Sequence, residues 1–135
     1  MQRAIPPDLA HAAGPGHAGS SQHEAIGDLH LAADNFSGAL GEYRAALKAV
    51  GPDAPAERSR LLLRVAEVHT ARSEYEPALV ALREARAVSR LLGDSRLSAR
   101  IAAGFAAVLI QQGQYRRSRR YAEHTYRVLL DTDDH

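Results

Sequence analysis

The sequence predicts an all-α fold built as a solenoid of stacked helix pairs, and three observations carry that expectation. The first is internal repetition: three stretches align when slid by 39 or 40 residues, each with an aromatic residue at the same place, Phe36, Tyr75 and Tyr115. A small residue stands nine positions before each aromatic (Gly27, Ala66, Ala106) and another three after it (Ala39, Ala78, Ser118). The second is composition. The 135 residues are 45% hydrophobic but only 5% aromatic, with no tryptophan and abundant alanine, which disfavours the β-branched and aromatic strands of a sandwich or barrel. The third is punctuation, since turn and cap residues fall at the boundaries that the repeat requires.

Small residues at fixed positions have a packing reason. Two antiparallel helices approach closely only where side chains are short, and an aromatic at the start of the second helix fills the wedge beside the next pair. One pair cannot bury its apolar stripe alone, so stacked neighbours bury it for one another.

Residues 1–20 are expected to form a flexible amino-terminal arm, because Pro6, Pro7, Gly14, Pro15, Gly16 and Gly19 interrupt any sustained helix. Asp8 is placed to cap a brief helical turn within it. The first pair is expected over 21–52, with helices at about 21–33 and 36–50, Asp34 and Asn35 supplying the turn and N-cap, and Gly51 and Pro52 the stop. The second, over 54–93, has helices at about 54–72 and 75–92. Ser73 and Glu76 are spaced as a capping box, Pro77 fits a first helical turn, and Gly93 closes the helix. The third, over 95–130, begins at Asp94 or Ser95 and turns at Gly113 between helices at about 95–112 and 115–130. Six helices result, followed by a frayed acidic end at 131–135.

Residues 23 to about 130 resemble the tetratricopeptide repeat family. The first unit carries the resemblance best, through Gly27, His30, Phe36, Ala39, Tyr43, Ala46 and Pro52; the second reads Ala66, His69, Tyr75, Ala78, Leu82, Ala85. The third, Ala106, Leu109, Tyr115, Ser118, Ala122 and Thr125, keeps the spacing but replaces alanines at two close-contact sites. The period exceeds the usual 34 residues, which makes the chain similar to the long variant in kinesin light chains and bacterial regulators. The run Glu84 to Asp94 (EARAVSRLLGD) is similar to repeats attached to bacterial signalling ATPases and transcriptional activators.

The resemblance implies a right-handed solenoid and a non-catalytic scaffold that holds a partner peptide or helix in a concave groove. By the family's register the groove is lined in the first pair by Glu24, Asp28, Leu31 and Ala32. In the second it is lined by Arg60, Leu63, Glu67, Thr70 and Ala71, and in the third by Arg100, Ala103, Ala107, Ile110 and Gln111. Asp28 and Glu67 stand where chaperone-binding members use asparagine, which argues against a carboxylate clamp and suits a ligand with a basic residue and an apolar anchor. The alternative reading is a peptide- or ligand-sensing domain of a larger bacterial regulator. Arrays of this family commonly end in a solvating helix and none follows Leu130, so the last helix is a candidate surface for homo-oligomer formation.

Other chemistries find little support. Arg116, Arg117, Arg119 and Arg120 interleave with Tyr115, Tyr121 and Tyr126 as a single-strand nucleic-acid surface would, but the formal charge of +1 and the acidic tail weigh against it. The seven histidines are scattered, with only His23 with Asp28 and His30 with Asp34 near metal-ligand spacing. With no cysteine, phosphate loop or nucleophile elbow, the expectation is no enzyme, metal or other cofactor. Absent a signal-like or membrane-spanning apolar run, a cytoplasmic protein with no membrane partner is expected.

Overall fold

The computed structural model describes residues 15–133, and in them every regular element is an α-helix. Five helices follow one another: α1 (Pro15–Ala32), α2 (Phe36–Val50), α3 (Pro55–Ala71), α4 (Tyr75–Ser89) and α5 (Ser95–Asp133). α1 and α2 form one antiparallel hairpin, α3 and α4 a second, and α5 lies against both helices of the second. The core runs through Tyr43, Leu61, Val68, Leu82, Ile101 and Val108, with Phe36 and Tyr75 packed at its margin.

The two hairpin turns are the same structure 39 residues apart. Asp34 and Ser73 take the left-handed conformation at φ 58° and 60°. The backbone N–H groups of Asn35 and Glu74 each donate over 2.8 Å to the carbonyls of His30 and His69. Each histidine then grips the residue five on, His30 Nδ1 with Asn35 Nδ2 at 3.1 Å and His69 Nδ1 with Glu74 Oε1 at 3.0 Å. That bond holds the exposed Glu74 carboxyl below its ordinary pKa. Asn35 caps α2 by accepting from the Gly38 N–H. Ser73 is the left-handed turn residue and not the cap, so the expected Ser73–Glu76 capping box does not form; Glu74 is the N-cap and makes no side-chain capping bond.

Two boundaries differ from the sequence reading. α1 begins at Pro15, so 15–20 belong to the helical body rather than to the arm. Proline at a first helical position costs no hydrogen bond, and Gly19 rests 3.9 Å from the Ala49 Cβ, where the two helices come close. The rest of the arm, with the Asp8 turn, lies outside the described residues, as do Asp134 and His135. The second difference is larger. No turn occurs at Gly113: α5 runs unbroken for 39 residues, and the expected six helices are five. At the place of His30 and His69 the third unit has Leu109, which carries no ring nitrogen to hold a turn shut. Asp94 starts α5, its Oδ1 accepting from the N–H groups of Arg96 and Leu97, and Gly93 at φ 63° supplies the preceding left-handed step.

Candidate functional site

A groove of about 460 Å³ opens between α3 and α5. Its floor is made where α5 crosses the second hairpin at Gly104. A Cβ there would come within 2.8 Å of Leu82 Cδ2, so glycine sets the depth. Leu63, Ala66 and Leu82 form the apolar base, Ala103 and Ala107 the α5 wall, and Glu67, Thr70, Arg100 and Gln111 the rim. The lining is therefore mostly apolar with a few polar groups, the usual constitution of a ligand or peptide cleft.

Of the residues expected to line a groove, the structure gathers Leu63, Glu67, Thr70, Arg100, Ala103 and Gln111 here. Asp28, Leu31, Arg60 and Ile110 fall elsewhere. Asp28 accepts a hydrogen bond of 2.5 Å from the Tyr43 hydroxyl, Leu31 packs on the core edge, and Ile110 is 58% exposed on α5. Arg60 pairs with the buried Glu24. Leu63 is only 4% exposed: it is a core side chain with one edge in the groove, so its removal reports on folding as much as on binding.

The acids expected to select a basic ligand already have a cation. Arg64, at a position the groove register did not include, stands between α1 and α3 with its Nε 3.6 Å from Asp28 and its Nη1 3.2 Å from Glu67. Burial works against its charge, but Glu67 and Asp28 outweigh that and hold the guanidinium pKa above its ordinary value. Thr70 is also engaged, donating to the Ala66 carbonyl at 2.7 Å. The polar groups left facing the groove are then chiefly Arg100 and Gln111 on α5.

The interleaved tyrosines do not form one surface with the core. Tyr115 tilts against Tyr75, ring centroids 6.4 Å apart, yet is 55% exposed, and Tyr121 is 75% exposed. Arg119 pairs with Glu123 on its own helix. His23 meets Glu42 at 2.6 Å instead of Asp28. Among the described residues no group of three or more histidine, cysteine, aspartate or glutamate side chains could hold a metal ion. No described helix is long and apolar enough to cross a membrane.

These features define an all-helical protein with two like hairpins, a long fifth helix and an apolar groove. The chain matches no protein-family model, no curated protein and no solved structure.

Proposed function

We propose that the chain is a non-catalytic interaction module of the tetratricopeptide type, which holds a peptide or amphipathic helix in the groove between α3 and α5. The observation that carries this reading is the groove itself, an apolar cleft of about 460 Å³ bounded by the first helix of one repeat and the corresponding part of the next. The duplicated turns at Asp34 and Ser73 support the repeat assignment. An apolar anchor side chain enters over Leu63 and Leu82, and its flanking polar groups meet Arg100 and Gln111. Because Arg64 neutralises Asp28 and Glu67, apolar fit contributes more to selection than a basic residue on the ligand. The module acts in the cytoplasm, and the exposed half of α5 offers a second contact surface.

A sensing role is the second reading, favoured by one observation: the groove's outer wall is α5, the same helix that extends beyond the body. A ligand seated there touches an element shared with any adjoining domain.

Fluorescence polarisation with a library of labelled amphipathic helical peptides tests the groove. Ala103→Glu and Ala107→Glu change exposed groove-lining positions and should spare the fold, as circular dichroism will show. Peptides that bind the native chain should lose affinity for both variants, and undiminished binding would remove the groove from consideration.

A further inference from the structure

The face of α5 that seals the body does not end where the body ends. Leu97, Ile101 and Val108 are buried, with Gly104 against Leu82. The same helical face then continues at alternating spacings of three and four as Tyr115, Ser118, Ala122 and Thr125 to Leu129, with Tyr126 alongside. From Gln114 to Asp131 every residue is exposed. This overhang of 18 residues is about 27 Å long at the helical rise. In the first two repeats the positions equivalent to Ala122 are Tyr43 and Leu82, both core residues. An inward stripe has thus been carried past its own partner.

We propose that the occupant of this stripe is the same stripe of a second copy, packed antiparallel about a two-fold axis at Ala122. Charge selects the partner and the direction. The overhang opens with Arg116, Arg117, Arg119 and Arg120, and the chain closes with Asp131, Asp133 and Asp134. Antiparallel pairing lays each basic start beside the other copy's acidic end; parallel pairing would set four arginines on four. Small residues select the axis. With Ala122 opposite itself, Ser118 falls opposite Tyr126 and Tyr115 opposite Leu129, so a large side chain meets a small one near the centre and the helices approach closely. The groove between α3 and α5 takes no part, and this association is independent of what the groove binds.

The chain has no native cysteine, so single introduced cysteines report on the geometry. The mass of the native chain, measured by sedimentation equilibrium over a wide concentration range, should rise from the monomer's 14.6 kDa toward twice that value. The Ala122→Cys variant should oxidise to a covalent dimer, whereas His124→Cys on the outward face should not. Leu129→Asp, at an exposed position, should remain monomeric with its helicity intact. A monomer at every concentration overturns the proposal, as does a dimer that survives Leu129→Asp or is crosslinked through His124→Cys in preference to Ala122→Cys. In an Ala106→Cys, Ala122→Cys double variant, an intramolecular disulfide would instead show that the overhang folds back on its own chain, which also overturns it.

Discussion

Gly27 lies directly beneath the ring of Tyr43: a Cβ at residue 27 would come within 2.7 Å of Cε1 and 2.9 Å of Cδ1. Tyr43 is wholly buried and its hydroxyl is held by Asp28, so the ring cannot swing away. The closest approach of α1 to α2 depends on the absence of one carbon.

Gly27→Ala should therefore destabilise the fold by about 1–2 kcal/mol, the net of an overpacking cost and the gain of alanine over glycine within a helix. Gly41→Ala is the matched control, because nothing lies within 4 Å of a Cβ there. It should stabilise by about 0.5–1 kcal/mol. Urea denaturation of both variants measures the opposite signs.

Alkaline pH should weaken the same crossing. Burial first, then the hydrogen bond to Asp28, pushes the Tyr43 phenol far above its ordinary pKa of 10.0. The folded state thus favours the neutral phenol. The resulting stability is complete below pH 10 and is lost as pH rises beyond it toward the folded value. Tyr43→Phe should remove this part of the alkaline decline in melting temperature.

Ser73 occupies a left-handed conformation that costs a side-chain-bearing residue about 1–2 kcal/mol relative to the right-handed one. Ser73→Gly should stabilise the second hairpin by up to about 1 kcal/mol, since glycine's greater freedom when unfolded offsets part of the relief. Thermal melts of native and variant chains decide it.

Gly113→Ala tests the continuity of α5. A Cβ there meets only the Arg117 guanidinium, at 3.9 Å, so alanine should raise local helix stability by about 0.5–1 kcal/mol. Amide exchange around residues 109–117 should slow. Faster exchange would place a turn at Gly113.

The first four helices were legible because their turns are written in residue types: Asn35 as a cap, Gly51 and Gly93 as stops, and a histidine five residues before each second helix. The start of α1 was hidden. Its inward stripe is Ser20, Glu24, Gly27 and Leu31, too polar to announce a buried face, although Ser20 recurs 39 residues on as the equally buried Ser59. Gly113 misled because the sequence shows a turn-forming residue but not the lack of a side chain to close the turn. The groove was half legible. Register placed Glu67, Thr70 and Gln111 on one wall, but nothing local marked Arg64 as the cation that occupies Asp28 and Glu67, a relationship that exists only once α1 and α3 lie side by side.

The unbroken α5 also acts as a lever. Its firm seat is at Gly104, and 29 residues separate that point from the end of the helix at Asp133, an arm of about 43 Å. A rotation of about 5° at the seat sweeps the far end through about 4 Å, roughly the rise of three helical residues. Small adjustments in the groove floor, too slight to disturb the core, are thereby magnified at the remote end of the molecule.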